Sequence, residues 1–306
     1  PFSLLPYLAA LSLFLAACVV SFFALSQKIV KRALDERTDL DSKLRKNYEA
    51  TAARLALAFP GIILNLSYGQ NGLLSASLLG LGLLLLDSHP LWAGMAIAGL
   101  SYKPNLAVVA PFVLLLTRRW KALFSTIVSS LVLVFTSLLF FGPQPWLNFL
   151  ERVSAVFEFL QKHPVILYRY VTFFGTLKLW GLSDFQSSIL QSLLTIGTLI
   201  ALAFLWLKGR SHYLACAGTV CACLLTTPYA LEYDLAMLGL AIAWYWADNF
   251  VKHRACLSSL EKLILVAAWL MPFLSRHIAR ISETVTAPFI VMALFVLILI
   301  KSRKTN

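Results

Sequence analysis

Long apolar runs recur from one end of this chain to the other, and a stretch such as Leu4–Leu25, without a single charge, has no place in a water-soluble core. Comparable runs cover Ala122–Phe141, Ser187–Leu207, Tyr213–Thr227, Leu235–Trp246, Leu263–Leu274 and Ala287–Ile300. Four shorter ones, Leu55–Tyr68, Leu73–Leu86, Leu91–Tyr102 and Leu106–Leu116, bring the candidate crossings to eleven. Only 13% of the residues are charged, against about 25% in soluble domains. The mean hydropathy of +0.79 makes lipid the solvent for most of the chain. The expected fold is all-α: one polytopic transmembrane domain over residues 1–306, with about ten or eleven hydrophobic helices, several short or broken.

The charges set the orientation. Lys and Arg number 26 against 14 acids, for a net charge of +12. They sit in short clusters between apolar runs, as in the cytoplasmic loops of membrane proteins; a nucleic-acid partner would need them gathered on one soluble face. The segment Gln27–Arg54, with eight bases and five acids, reads as a cytoplasmic loop after the first span. Leu91–Leu116 is either one kinked span with Lys103 near its middle or two short helices meeting at Lys103-Pro104-Asn105. With two helices, nineteen Lys and Arg fall inside and seven outside; with one, the bias nearly vanishes and an ammonium is left in the bilayer. The two-helix topology is preferred. It places Gly69-Gln70-Asn71-Gly72, Ser101–Asn105, the loop Gly142–Gln186 and Thr226–Asp234 on one side, the extracytoplasmic face of what reads as a bacterial inner membrane.

Within the external loop, Trp146, Phe149, Leu150, Val153, Val156, Phe157 and Leu160 follow a three-four spacing opposite a polar face, which predicts a helix lying in the interface. Tyr168–Trp180 adds aromatics around Arg169 and Lys178. This is either a belt at headgroup level or a surface that grips a lipid-linked substrate. Cys18, Cys216, Cys221, Cys223 and Cys256 form no CxxC pair, and four lie in apolar runs, so they read as small buried hydrophobes. Residue 1 is Pro and no charged n-region precedes the first run; the chain reads as a piece of a longer one, without a signal peptide.

Nucleotide-binding and hydrolase motifs are absent, and His163 and His212 have no companions at ligand spacing; no cofactor or metal is expected. Lys103 is either a snorkelling anchor or a point charge for a phosphate. Gln70 and Asn71 project two amides from a glycine-flanked turn; they either cap two helices or pair with sugar hydroxyls, which need donors and acceptors together. Glu232 and Asp234 flank Tyr233 just before an apolar helix, where an acid favours the helix dipole or compensates Lys103.

The order GQNG, helix hairpin, K-P-N, TRRWK, long loop and TPYxxxYD resembles glycosyltransferase family 87, and Pro1–Pro6 is similar to the start of that family's second span. The resemblance implies a GT-C membrane fold and a hexosyltransferase that moves a sugar, mannose in its best-known members, from a polyprenyl-phosphate donor to a lipid or glycan acceptor at the outer face. It places Gln70 and Asn71 near the sugar and Lys103 near the donor phosphate, with Asn105, Tyr233 and Asp234 in the same external cavity. The family's general base is an acid of the first external loop, which would lie before Pro1, so no catalytic residue is assigned within the chain. Broken helices also suit a secondary transporter or lipid flippase, and the missing acid suits a non-catalytic scaffold subunit.

Overall fold

The computed structural model describes residues 4–151, 164–209, 211–252 and 257–303. It is a polytopic all-α membrane protein; the described residues contain no strand beyond one isolated bridge, between Tyr170 and Leu231. Five helices are long and apolar enough to cross a membrane: Tyr7–Asp35, Ser42–Tyr68, Trp120–Phe141, Asp184–Lys208 and Ser259–Ser282. Shorter apolar helices fill the space between them.

The N-terminal helix departs from expectation. α1 (Tyr7–Asp35) runs ten residues past Leu25, and most of Gln27–Arg54 is helical rather than loop, because α2 (Ser42–Leu57) follows after a short break. The reason is amphipathic spacing. Ile29, Val30, Ala33 and Leu34 form one buried face while Lys28 and Lys31 stay exposed, so the helix continues where charge density alone suggests a loop. Arg32 then donates to the Leu84 carbonyl at 3.2 Å, and Arg37 to that of Phe250 at 3.1 Å.

α3 (Pro60–Tyr68) and α4 (Gly72–Leu85) form a tight hairpin. Gly69 closes it in the left-handed conformation, φ 61°, which costs glycine nothing and a side chain about 1 kcal/mol. α5 (Pro90–Ala98), continued by the 3₁₀ turn Gly99–Tyr102, reverses at Lys103 into α6 (Pro104–Ala107) and α7 (Val109–Leu116). These are two separate legs, as the charge count prefers, with Asp87 and Arg119 joined at 2.6 Å at the end away from Lys103. α8 (Trp120–Phe141) packs along α5 but turns Phe124, Leu131, Phe135 and Leu139 outward, an apolar surface suited to acyl chains.

The C-terminal half comprises α9 (Phe173–Leu179), α10 (Asp184–Lys208), α11 (His212–Thr226), α12 (Leu238–Val251), α13 (Ser259–Ser282) and α14 (Ala287–Arg303). α11 is the central helix. Beyond His212 all its residues are buried, and Cys216, Cys221 and Cys223 pack there as small apolar groups, as Cys18 does in α1. Cys256 lies outside the described residues. In the loop between α8 and α9 residues 144–151 are helical, and the rest of the expected interfacial helix, residues 152–160, lies outside the described residues, as does His163. Tyr168–Trp180 is packed rather than loose: Tyr170, Phe174 and Leu177 are buried, and Lys178 pairs with Asp184 at 2.6 Å.

Candidate active site

Three chain reversals meet at one end of the bundle: the α3–α4 hairpin, the turn at Lys103, and the segment Thr226–Met237, whose last six residues form a 3₁₀ turn before α12. Asn65 ties the first to the third. Its side-chain amide, wholly buried, donates to the carbonyls of Gly61 at 2.8 Å and Tyr233 at 3.0 Å, and its oxygen accepts the Leu73 N–H at 3.3 Å. The two backbones come so close that a Cβ on Gly72 would lie 2.2 Å from the Tyr233 carbonyl oxygen. Only glycine fits there.

Lys103 ties the second reversal to the third. Its Nζ lies 2.6 Å from Asp234 Oδ1 and 4.9 Å from the centre of the Tyr233 ring. Asp234 Oδ2 accepts the Leu231 N–H at 3.1 Å, so one carboxylate both caps its turn and compensates the ammonium. The Lys103 side chain is 15% exposed and that of Asp234 4%. In this turn, outside the spanning helices, burial pushes the Asp234 carboxyl up, while the ammonium and the Leu231 N–H pull the other way. Asn105 donates to the Tyr229 carbonyl at 2.5 Å and to Thr227 Oγ1 at 3.3 Å. Tyr102 reaches Ser75 Oγ at 2.8 Å, joining the two hairpins directly.

The segment after the long loop closes the same end. Val171 N–H donates to the Ala230 carbonyl at 3.0 Å, and Thr172 Oγ1 to that of Pro228 at 3.1 Å. Arg169 Nε donates to Glu232 Oε1 at 2.9 Å, and its guanidinium lies 5.1 Å from the centre of the Tyr68 ring. Desolvation works against the Arg169 charge, but Glu232 more than offsets it and holds the guanidinium pKa above its ordinary value. Tyr68 OH in turn accepts from Arg276 Nη1 of α13 at 2.8 Å.

All six residues singled out from sequence, Gln70, Asn71, Lys103, Asn105, Tyr233 and Asp234, therefore come together at this end. Their bonding differs. Lys103, Asn105 and Asp234 spend side-chain atoms on one another's turns. The half-buried Gln70 side chain makes no hydrogen bond among the described residues, and Asn71 Oδ1 is buried without a partner. Sequence reasoning missed Asn65 and the Glu232–Arg169–Tyr68–Arg276 chain. For Asn65 there was a signal, an amide inside the apolar run Leu55–Tyr68. For Arg276 there was none, since pairing a residue of α13 with the end of α3 is a matter of packing alone.

A cavity of about 190 Å³ lies elsewhere, between α1, α2, α12 and α13, lined by Phe22, Gln27, Tyr48, Trp246 and Trp269 among others. A Cβ on Gly69, at the polar end, would lie 3.5 Å from Leu11 Cδ1, and Gln27 is sixteen residues further along α1 from Leu11, about 24 Å away. The cavity is mostly apolar, with Ser26, Gln27, Tyr48 and Thr51 as its polar lining, and its walls suit hydrocarbon. At the end away from Lys103, Asp87 pairs with Arg119 and lies 3.5 Å from His212 Nδ1, and Glu261 pairs with Lys301.

Residues 1–228 match the family model described as glycosyltransferase family 87. No curated protein and no solved structure matches the chain. The match spans α1 to α11, including Gln70, Asn71, Lys103 and Asn105 with the helices that present them, and stops just short of Tyr233 and Asp234. The chain belongs to glycosyltransferase family 87, and is a membrane-embedded glycosyltransferase.

Proposed function

We propose that this glycosyltransferase is of the GT-C type and moves a hexose, mannose by family resemblance, from a polyprenyl-phosphate donor to a hydroxyl of a lipid or glycan acceptor. The reaction is placed at the end of the bundle that carries Gln70 and Lys103, on the extracytoplasmic face of a bacterial inner membrane. The observation that carries the reading is a set of unspent polar groups, the Gln70 amide and Asn71 Oδ1, beside a paired ammonium at the lipid boundary. Sugars present many hydroxyls, each a donor and an acceptor, and side-chain amides match both.

Gln70 and Asn71 bind the hexose in this reading. Lys103 lies toward the donor phosphate, with Asn105, Tyr233 and Asp234 shaping the same space. The acceptor oxygen attacks the anomeric carbon and its proton passes to a carboxylate base. The bond from that carbon to the phosphate oxygen breaks, and the electron pair leaves with polyprenyl phosphate. Once loosened from Asp234, the ammonium faces the charge that grows on the phosphate, where a cation in a low-dielectric site is worth most.

The test uses sealed, right-side-out membrane vesicles containing the full-length protein and a radiolabelled polyprenyl-phosphate mannose. Transfer of label into a lipid or glycan fraction, with release of polyprenyl phosphate, is the expected result. Label moving only from a nucleotide sugar, or only in inverted vesicles, would overturn the donor or the sidedness respectively.

A further inference from the structure

Three of the bases at the polar end are paired with acids, and one half-buried base there is not. Lys103 is neutralised by Asp234, Arg169 by Glu232 and Lys178 by Asp184. Arg276, half-buried in α13, has no carboxylate partner among the described residues. It holds only the Tyr68 hydroxyl, and its Nε is buried with no hydrogen-bond partner. A buried donor of a charged group left open costs about 1–3 kcal/mol or more, which an anion would recover. The neighbouring carboxylate presents the complementary vacancy. Glu232 is 1% exposed; its Oε1 accepts from Arg169, while Oε2 is buried with no partner.

We infer that the chain Glu232–Arg169–Tyr68–Arg276 seats the glycosyl phosphate of the donor, Arg276 gripping a phosphate oxygen and Glu232 Oε2 accepting a sugar hydroxyl. This rests on the lipid-phosphate donor proposed above. One open donor and one open acceptor, linked through Tyr68 and Arg169, match a ligand with an anionic oxygen at one end and hydroxyl donors at the other. A second cation also suits the chemistry. The donor phosphodiester carries one negative charge and the departing monoester carries more, so a positive charge not already cancelled by a carboxylate is stabilising as the bond breaks. Lys103 must first loosen from Asp234 to serve in that way; Arg276 need not. Both Arg276 and Glu232 lie beyond the residues matched by the family model.

The test is a titration of the purified full-length protein in detergent, read by tryptophan fluorescence, with farnesyl phosphate, farnesol and farnesyl phosphate mannose as probes. Arg276→Gln is expected to weaken farnesyl phosphate binding about tenfold or more while leaving farnesol unchanged, the loss of one charge-assisted hydrogen bond. Arg276→Lys recovers part of it, and Glu232→Gln weakens the glycosylated probe while sparing farnesyl phosphate. Equal binding of farnesyl phosphate by Arg276→Gln and wild type overturns the inference, as does a parallel loss of farnesol, which marks Arg276 as a packing residue. Displacement of the probe by phosphatidylglycerol at equal concentration overturns it too, because the arginine then holds a bilayer lipid. If wild type binds none of the phosphorylated probes, the donor reading itself falls. If only Lys103→Met abolishes phosphate binding, that reading stands and this inference fails.

Discussion

Lys103 and Asp234 stand 131 positions apart in the chain and 2.6 Å apart in the structure. Each belongs to a chain reversal, so their ion pair pins the α5–α6 hairpin to the turn that opens α12. Both side chains are largely withdrawn from water, where the cost of desolvating two charges cancels much of their attraction, yet removing one partner alone strands the other.

That asymmetry gives the first prediction. Lys103→Met should lower the stability of the detergent-solubilised protein by about 3–5 kcal/mol, with transfer lost. The pair of changes Lys103→Met and Asp234→Leu should restore most of the stability and none of the transfer. Thermal unfolding beside a transfer assay reads both; recovery of transfer in the double variant would mean that Lys103 only balances Asp234.

At Gly72 the limit is steric. The Cβ of an alanine would lie 2.2 Å from the Tyr233 carbonyl oxygen and 2.7 Å from Asn65 Oδ1, and neither backbone nor buried amide has room to retreat. Gly72→Ala should cost about 1–3 kcal/mol and reduce transfer as the α3–α4 hairpin moves off the Tyr233 turn. Gly69→Ala, strained only through its φ of 61°, should cost about 1 kcal/mol. Equal melting temperatures for the two variants would contradict this ranking.

Gln70 separates binding from folding. Its side chain makes no hydrogen bond among the described residues, so Gln70→Ala should leave the unfolding free energy within about 0.5 kcal/mol of wild type. Transfer should nevertheless fall at least tenfold if the amide binds the sugar, with the loss read as kcat/KM for the lipid-linked donor. Wild-type transfer by this variant would reduce Gln70 to a turn residue.

Acid should weaken the opposite end of the bundle. Burial works against the Asp87 charge, but Arg119, with His212 and Arg32, more than offsets it and holds this carboxyl below its ordinary value. A carboxyl depressed in the folded state contributes stability that is present above its unfolded pKa, about 3.9, and lost as pH falls through the folded value. Melting temperatures of wild type and Asp87→Asn should therefore differ at pH 6 and converge only as pH falls below the folded value, which lies under that of an ordinary aspartate. A difference independent of pH would remove the ion pair as its cause.

How much of this was legible depends on the range of the interaction involved. The reversal at Lys103-Pro104-Asn105 followed from helix-breaking chemistry and the cost of a buried ammonium, both local, and the structure has two legs there. The end of the first helix was misplaced because charge density was weighed above spacing. Ile29, Val30, Ala33 and Leu34 carry a buried stripe straight through the lysines, and only contact with α4 and α12 makes that stripe worth more than the exposed charges.

By itself, the order of residues determined that this chain partitions into lipid as helices, where it reverses, and that its amides, Lys103 and Asp234 gather at the same end. Transfer free energy is summed over neighbours in the chain, and turns are written in a few adjacent residues. Only the tertiary structure decided which of those polar groups are spent and which are open. Lys103 is cancelled by Asp234 and Arg169 by Glu232, whereas Arg276, unremarkable as sequence, keeps an unpartnered donor beside Tyr68. Hydrogen bonds and ion pairs act over about 3 Å, so their partners are chosen by how helices pack, and no local pattern in the chain encodes that choice.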